Sequence, residues 1–106
     1  MVRIKDFMEF DLRVAKIIEA KDHPNADRLF VLKIDTGEEQ RQLVAGIRSS
    51  YTAEQLIGKQ VVFISNLEPA VIRGEESRGM ILAASDETGI AIVSPEREMA
   101  LGSRIK

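Results

Sequence analysis

The chain has 106 residues, of which 44% are hydrophobic and 30% charged, a balance that suits one folded domain and excludes a disordered chain. It contains no cysteine, which excludes disulfides and thiolate metal sites. It has neither a secretory signal nor an apolar run near the roughly 20 residues of a membrane span. We therefore expect a cytoplasmic protein without membrane association. Its net charge of −2 argues against a protein that coats nucleic acid by bulk charge, although a local basic patch could still bind nucleic acid.

The first predicted elements are a helical turn and three strands. Apolar residues at spacings of three and four favour a short helical turn within residues 4–8. Alternating apolar residues then predict three strands: 12–20, 28–35 and 41–47. The Ile17–Ile18 pair breaks the alternation of the first strand and indicates a bulge. The turn signal DHPNAD, residues 22–27, separates the first strand from the second.

A short helix and three more strands follow. Thr52 is placed to cap a helix, Gln55 three residues later completes a capping box, and Gly58 suits the position just past the helix end. The later strands are predicted at 60–65, 79–85 and 89–94. The sequence Ser94-Pro95-Glu96 is typical of a further helix start.

The connection between the fourth and fifth strands is unusually long and charged. It reads NLEPAVIRGEESRGMIL, from Asn66 to Leu82, whereas a hairpin needs only about two to five residues. Its two glycines, two arginines and three glutamates predict a glycine-hinged loop with a task beyond connecting the strands.

The element order predicts the fold class. Three strands, a short helix, two strands and a small extension favour an all-β chain that forms a five-stranded Greek-key OB-fold barrel, with the short helix after strand 3. Such barrels bind through the face of strands 2 and 3 and through the loops after strands 1 and 4. The turn at 22–27 and the long charged loop would therefore rim one surface.

No set of residues points to catalysis. His23 is the single histidine, so no second imidazole is available for a metal site or a proton relay, and neither a G-x-S-x-G nor a Walker pattern occurs. We therefore expect a binding module without enzymatic activity, metal or cofactor. Two interpretations of His23 stay open, because it can set the turn before Pro24 or contact a ligand.

Four basic residues are candidates for phosphate contacts. Arg28 and Lys33 flank the second strand, where they are either ordinary outward charges or a basic stripe. Arg73 and Arg78 lie in the long loop on either side of Glu75 and Glu76. Either these charges pair with one another inside the loop, or the glutamates hold the guanidinium groups towards a phosphate.

Three further loop residues are candidates with an alternative interpretation each. Asn66 can bond a base edge or the loop backbone, Ser77 adds a small donor and acceptor, and Met80 belongs either to the core or flat against a base. With 5% aromatic residues and no tryptophan, stacking on single strands is a weaker prediction than recognition of folded RNA by shape. A dimeric chaperone-like module that binds peptides is the alternative, and the acidic composition favours it.

Three segments carry a family resemblance. Residues 11–35 (DLRVAKIIEAKDHPNADRLFVLKID), 43–47 (LVAGI) and 66–85 (NLEPAVIRGEESRGMILAAS) resemble the tRNA-binding domain appended to aminoacyl-tRNA synthetases, above all the C-terminal domain or separate beta chain of methionyl-tRNA synthetase. The resemblance implies a non-catalytic OB-fold that binds the outside of the L-shaped tRNA and delivers it to the catalytic part of the synthetase. The same module also occurs as a stand-alone tRNA-binding protein.

The resemblance also implies particular residues and a domain plan. The motif that contacts tRNA matches at Asn66, Arg73, Ser77 and Met80, and the basic second strand matches less specifically at Arg28 and Lys33; the charge argument adds Arg78. The implied plan is a single domain with a helical turn at 1–10, a barrel at 11–85 and a dimerisation extension at 86–106. A homodimer would be built from Ile4 to Phe10 together with Gly89 to Lys106.

Overall fold

The computed structural model describes all 106 residues as an all-β chain with two helices of one turn each. The helices are α1 (Ile4–Phe7) and α2 (Ala53–Leu56), and the strands are β1 (Leu12–Asp22), β2 (Phe30–Asp35), β3 (Gln40–Ala45), β4 (Gln60–Ile64), β5 (Ala70–Ile72), β6 (Glu75–Ser77), β7 (Met80–Ile81), β8 (Ala83–Asp86) and β9 (Gly89–Ile92). Neither helix has the length and apolar composition that crossing a bilayer requires.

A curled five-stranded sheet forms the body, with the strand order β3-β2-β1-β4-β7. The long strand β1 pairs with β4 along its first half and with β2 along its second half. The register slips between Ile17 and Glu19, which confirms the predicted bulge, and a bulge bends and twists its strand. The two edge strands of this sheet are β3 and β7. Arg78 N donates to Gln42 O (2.9 Å), so the residues just before β7 contact β3. The curled sheet is compatible with an OB-like fold.

The core lies inside the curl and comes from alternate residues of every strand of the sheet. Leu56 of α2, fully buried, joins this core from the helix. The main cluster contains Ala15, Ile17, Phe30, Leu32, Ile34, Leu43, Ala45, Ile47, Leu56, Val61, Phe63 and Ile81. Side chains on a strand alternate between faces, and part of the opposite face is buried as well, in a second cluster made by Leu12, Val62 and Ile64.

The predicted cap of α2 is confirmed. Thr52 Oγ1 accepts from Gln55 N (3.3 Å) and Gln55 Oε1 accepts from Thr52 N (2.8 Å). Gly58 follows the helix with φ of 87°, a conformation that glycine adopts without steric cost. The short helix after the third strand is therefore fixed by local sequence.

The prediction of a long loop between residues 66 and 82 was wrong in one respect, because the middle of this segment forms a hairpin. β5 and β6 pair antiparallel, and the turn between them is Arg73-Gly74. The predicted fifth strand, 79–85, is likewise interrupted at Leu82, which separates β7 from β8. β8 turns away from the main sheet and pairs with β9.

The helix predicted at Ser94-Pro95-Glu96 does not form. Residues 93–100 contain no helix or strand. The side chain of Gln60 binds both the N–H and the carbonyl of Met99, at 3.0 and 2.7 Å, and Ser94 Oγ donates to Gln60 O. These bonds tie the segment to the start of β4, and they outweigh the local helix signal.

Candidate nucleic-acid interface

The hairpin of β5 and β6 ends in a tight two-residue turn. Arg73 and Gly74 both have positive φ, 53° and 93°, which is the type I′ geometry that matches the twist of two-residue hairpins. Arg73 is the only residue other than glycine with positive φ, and this conformation is uncommon for a side chain that bears Cβ. Contacts from a neighbouring loop offset that cost.

The neighbouring loop is 23–29, between β1 and β2, and His23 fastens it to the hairpin. The His23 ring is buried, with 3% of its surface exposed. Nδ1 accepts from Asn25 N and Nε2 lies 2.9 Å from Ile72 O. Because Nδ1 is an acceptor, Nε2 carries the proton and donates to the Ile72 carbonyl. His23 therefore sets its own turn, as the first interpretation had it, and also holds the hairpin.

A second pair of bonds joins the same two loops. Arg73 Nη2 donates to Asn25 O (2.9 Å), and Asn25 Nδ2 lies 3.4 Å from Arg73 O. Together with the His23 bonds they form what we call the latch, made by His23, Asn25, Ile72 and Arg73. The two loops expected to rim one surface are in direct contact there.

Three arginines gather around loop 23–29, and we call them the rim arginines: Arg28, Arg48 and Arg73. Arg28 is exposed and lies in the loop, while Arg48 Nη1 donates to Ala26 O (3.2 Å). Of the three, Arg48 alone forms an ion pair, with Asp22 at 2.9 Å. Sequence reasoning missed Arg48; its position just after β3, the strand that pairs with β2, is the signal that could have found it.

Lys33 and Arg78 are partly neutralised by carboxylates. Lys33 Nζ lies 3.5 Å from Glu19 on the neighbouring strand, and Arg78 Nη2 lies 3.6 Å from Glu39. All four side chains are well exposed, so these pairs stabilise little and a phosphate competes with them easily. Arg78 therefore belongs to a separate group of charged side chains beside Glu39 and is not one of the rim arginines.

The glutamates of the hairpin do not pair with its arginines, which corrects both interpretations of these charges. No ion pair joins Arg73 or Arg78 to Glu75 or Glu76. Instead Gln42 Nε2 donates to Glu76 O (2.9 Å) and approaches Glu75 Oε1 (3.5 Å). The glutamates thus help to attach the hairpin to β3.

Ser77 is buried, with 4% of its surface exposed, and its hydroxyl is fully used. It accepts from Val44 N (3.0 Å) and donates to Gly79 O (3.0 Å), which ties the end of the hairpin to β3. Gly79 has φ of 133°, and a Cβ there would lie 2.9 Å from Ile64 O, so only glycine fits. Ser77 and Gly79 position the hairpin from beneath.

Asn66 binds the N-terminal segment. Its Oδ1 accepts from Asp11 N (2.9 Å) and its Nδ2 donates to Glu9 O (2.8 Å). Ser65 bonds the same segment, because its N–H donates to Asp11 O and its Oγ donates to Asp11 Oδ2, both at 2.8 Å. We call Asp11, Ser65 and Asn66 the clasp.

Asp11 is the charged member of the clasp. The bond from the Ser65 hydroxyl, followed by the Arg13 guanidinium 2.7 Å away, holds the pKa of the Asp11 carboxyl below its usual range, and partial burial opposes them. The carboxylate form is therefore the one the folded chain favours.

Met80 lies at the mouth of an apolar groove. Its side chain is 49% exposed, although its backbone pairs with Ile64 in β4. The groove has a volume of about 790 Å³, and Leu67, Leu82 and Val93 line it among other apolar residues. Met80 therefore lies on the surface rather than in the core, in a groove that Ile72 and Ser77 of the hairpin also line.

Comparison with known proteins identifies the family. Residues 12–104 match the model of the tRNA-binding domain. The chain belongs to the tRNA-binding domain family. This confirms the resemblance seen in the sequence.

The sequence relatives of this tRNA-binding domain include long enzymes. It is 51% identical over 105 residues to a methionine–tRNA ligase of Thermococcus onnurineus and 54% identical to one of Thermococcus kodakarensis. In both comparisons 99% of this chain is covered, but the chain spans only 14% of the ligase. The likeness to methionyl-tRNA synthetases is confirmed for this portion of those proteins.

Two solved structures match the domain along nearly their whole length. One is a MetRS-related protein from Pyrococcus horikoshii, with a TM-score of 0.92, 30% identity, and coverage of 100% of this chain and 98% of the other. The second is the chaperone CsaA from Bacillus anthracis, with a TM-score of 0.91, 30% identity, and coverage of 100% and 99%. A domain of this extent therefore also occurs as a short chain.

Proposed function

We propose that this chain is a non-catalytic, structure-specific tRNA-binding module, folded as a five-stranded Greek-key OB barrel, that delivers tRNA to the catalytic part of a methionyl-tRNA synthetase. The observation that carries the proposal is the gathering of the rim arginines around one loop. In this proposal Arg28, Arg73 and Arg48 contact phosphates directly, with Lys33 and Arg78 at the margins of the surface and Met80 against a sugar or base.

The chemistry of the rim arginines suits phosphate. A guanidinium group presents a planar fork of donors that matches phosphate oxygens. Arg28 and Arg73 have no carboxylate partner that phosphate would first have to displace. The latch holds Arg73 in place before binding, and this lowers the entropic cost of association. Recognition through phosphates and shape requires little sequence preference.

We also propose that the module acts as a homodimer. Support comes from α1 and the residues after it, where Ile4, Phe7, Met8 and Phe10 are between 38% and 76% exposed. The clasp attaches this apolar segment to the barrel, and exposed apolar patches mark protein contacts. With residues 86–106 as the second part of the contact, a dimer presents two basic rims to one tRNA and gains avidity.

The apolar groove supports a second candidate function, binding of extended apolar peptides in a chaperone-like module. Its lining is mostly apolar and includes Gly46 and Ile47. A titration with unfractionated tRNA and one with an apolar peptide separate the two functions. Peptide binding that tRNA does not displace, with no tRNA binding at all, would replace the first proposal by the second.

The test of the first proposal is a pair of charge-matched double variants. The rim variant, Arg28→Ala with Arg73→Ala, removes two rim charges. The control variant, Lys59→Ala with Arg97→Ala, removes two exposed charges beside Lys16. Lys16 lies opposite Asp35 in the strand register, at the end of β2 that is remote from loop 23–29. We expect the rim variant to weaken tRNA binding at least tenfold and to lower the slope of log affinity against log salt by about 1.5.

The control variant should leave both the tRNA affinity and the salt slope near those of the unmodified chain. Equal losses in the two variants would mean that bulk charge, and not the rim, binds tRNA. An affinity unaffected by the rim variant would refute the assignment of the surface.

A further inference from the structure

The sheet carries a depression, separate from the apolar groove, on the face of β1 and β2 that looks away from the core. Its volume is about 470 Å³, within the range of roughly 300–1,000 Å³ that ligand sites occupy. We call it the outer depression. Its apolar lining includes Ile18 and Ile57, and its polar lining is formed by Glu19, Lys21, Lys33 and Gln42.

The strand register places the polar side chains of the outer depression on one face. Glu19 and Gln42 lie opposite Lys33 from the two neighbouring strands, and residues directly opposite one another share a face. Lys21, two residues after Glu19, points the same way because side chains alternate along a strand. Leu32, next to Lys33, belongs to the core. The polar side chains therefore point outwards.

The charge of this face favours an anionic ligand. Lys21 is exposed and forms no ion pair. Lys33 shares its charge with Glu19, 3.5 Å away, but both side chains are well exposed, so a phosphate can replace that pair. Two lysines against one glutamate leave an excess of one positive charge. Lys21 also stands one residue before the end of β1, where the chain enters loop 23–29, so the outer depression continues the positive charge of the rim arginines.

Two isoleucines form an apolar wall of the outer depression, and we call Ile18 and Ile57 the ledge. The register slip after Ile17 is a bulge, and bulges redirect side chains, which accounts for a partly exposed Ile18 beside the fully buried Ile17. Ile57 is 49% exposed, although the backbone around it is fixed. Gly58 N donates to Ile17 O (2.8 Å), and Ile17 N donates to Lys59 O (2.9 Å). The ledge therefore presents apolar side chains to solvent from a rigid backbone.

Gln42 adds an oriented acceptor to the outer depression. Its Nε2 donates to Glu76 O (2.9 Å) and approaches Glu75 Oε1, so the amide end of the side chain faces the hairpin. No hydrogen bond of the structure uses the carboxamide oxygen Oε1. This oxygen is available to accept from a ribose hydroxyl or from an amino group of a base, which are donors that RNA offers.

We infer that the outer depression binds one unpaired nucleotide of the RNA, an inference that rests on the tRNA binding proposed above. The base lies against the ledge, and Lys21 and Lys33 bind the adjoining phosphate. An apolar surface beside cations matches a nucleotide, in which an apolar base face adjoins an anionic phosphate. A duplex hides its base faces inside the stack, whereas an unpaired base can be splayed out. The chain thus binds a junction, with paired backbone at the rim and an unpaired base at the ledge.

Two RNA hairpins test this inference with the full chain. One hairpin is blunt, and the other has the same stem with a short single-stranded 3′ extension. The extended hairpin should bind about fivefold more tightly, because one of its bases leaves water against the ledge. Its log–log salt slope should be steeper by about 0.7 for each phosphate that a lysine contacts. Equal affinities for the two hairpins would overturn the inference and leave the tRNA proposal standing.

Substitutions separate the ledge from the lysines. Ile57→Ser should remove most of the preference for the extended hairpin, whereas Ile57→Leu should retain it. Lys21→Ala should lower the salt slope by about 0.7 for the extended hairpin alone. The matched control is Val71→Ser on β5, which removes an apolar side chain that is 73% exposed and lies outside the depression. With folding checked by thermal unfolding, a preference that survives Ile57→Ser would place the base elsewhere and refute the inference.

Methyl resonances of the unmodified chain provide a direct measurement. The ring current of a base shifts the signals of methyl groups that lie against it. The Ile18 and Ile57 methyl signals should therefore move when the extended hairpin is added and stay in place with the blunt one. Ile4, on α1 and 76% exposed, is the internal control and should not move with either. Unmoved Ile57 signals at saturation with the extended hairpin would contradict the base contact.

The same measurements distinguish the outer depression from the rim. Extended RNA that still binds in the rim variant and requires Ile57 and Lys21, in a chain that does not bind folded tRNA, would overturn the tRNA proposal and leave the outer depression as a nucleotide site. A peptide of acidic and apolar residues that moves the Ile57 signals where extended RNA does not would identify a peptide as the occupant and overturn the inference.

Discussion

Asn66 and Ser77 show what the hydrogen bonds of single side chains imply about their roles. Asn66 uses both ends of its carboxamide on the N-terminal segment, and Ser77 uses its hydroxyl as donor and acceptor on the backbone. To bind RNA directly, either residue would have to give up these bonds. We therefore expect both to act by holding the hairpin and the N-terminal segment in place, whereas the rim arginines meet the ligand.

Asn66→Asp tests this positioning role. The substitution preserves the size of the side chain but places a carboxylate oxygen against Glu9 O, so one bond of the clasp is lost. We expect the free energy of unfolding to fall by about 1 kcal/mol and the amides of residues 9–11 to exchange faster, with a smaller loss of tRNA affinity than in the rim double variant. Asn25→Asp, at the latch, is the control that should leave residues 9–11 unchanged.

Asp11 gives the clasp a dependence on pH. Its pKa is lowered in the folded chain, first by the Ser65 hydroxyl and then by Arg13. A carboxyl of this kind contributes its stabilisation fully above its unfolded pKa, near 4, and loses it as the pH falls through the folded pKa. Asp11→Asn should therefore reduce the free energy of unfolding by about 1 kcal/mol at neutral pH.

Urea unfolding at neutral and at acidic pH measures that difference. The deficit of Asp11→Asn should shrink below about pH 4 and vanish where the unmodified carboxyl is protonated. Asp27→Asn is the control, because the Asp27 carboxylate has no hydrogen bond or ion pair in the structure. A deficit that persists unchanged in acid would show that the Asp11 carboxylate charge does not stabilise the clasp.

At the scale of elements, the latch makes loop 23–29 and the hairpin one unit. His23→Phe preserves an aromatic ring in the buried site but leaves Ile72 O and Asn25 N without partners. The free energy of unfolding should fall by about 2 kcal/mol, because two hydrogen bonds worth roughly 1 kcal/mol each are lost, and tRNA affinity should fall because Arg73 loses its support. Denaturant titration and tRNA binding measure the two effects; unchanged stability would mean that the His23 bonds are dispensable.

Elements with a strong local signal were predictable from the sequence. The bulge at Ile17–Ile18 and the capping box of α2 depend on neighbours within a few residues. The hairpin was missed because Arg73-Gly74 is a weak turn signal beside the usual Asn-Gly, and its positive φ is supported by Asn25 in another loop. The helix at Ser94 failed for a similar reason, since Gln60 fixes that segment from a distant strand.

The sequence predicted which types of residue form the candidate site, but not which residues lie close together in it. Charge and spacing selected Arg28 and Arg73 correctly as exposed cations, and the two loops that carry them do meet. Arg48 escaped because nothing local distinguishes it from a surface arginine; its place depends on the pairing of β3 with β2. The roles of Asn66 and Ser77 depend in the same way on contacts with residues far away in sequence.

At the scale of the whole molecule, the arrangement of charge matters more than its sum. The chain has 15 basic and 17 acidic residues, so replacing any glutamate by lysine brings the formal net charge from −2 to zero. Glu76 is exposed on the outer face of the hairpin, opposite Val71, and Glu96 is exposed beside Lys16 and Lys59. At physiological salt a charge acts over only about 8 Å.

Glu76→Lys should therefore raise tRNA affinity severalfold and steepen its salt dependence by up to about 0.9 in log–log slope, because it adds one cation next to the rim. Glu96→Lys makes the same change of net charge at a site beyond the reach of the rim and should leave the affinity within about twofold at physiological salt. Both variants are compared by gel shift and by titration at several salt concentrations, with thermal unfolding to confirm that each remains folded. Equal gains from the two substitutions would show that net charge governs binding, and the rim would then have no special part in it.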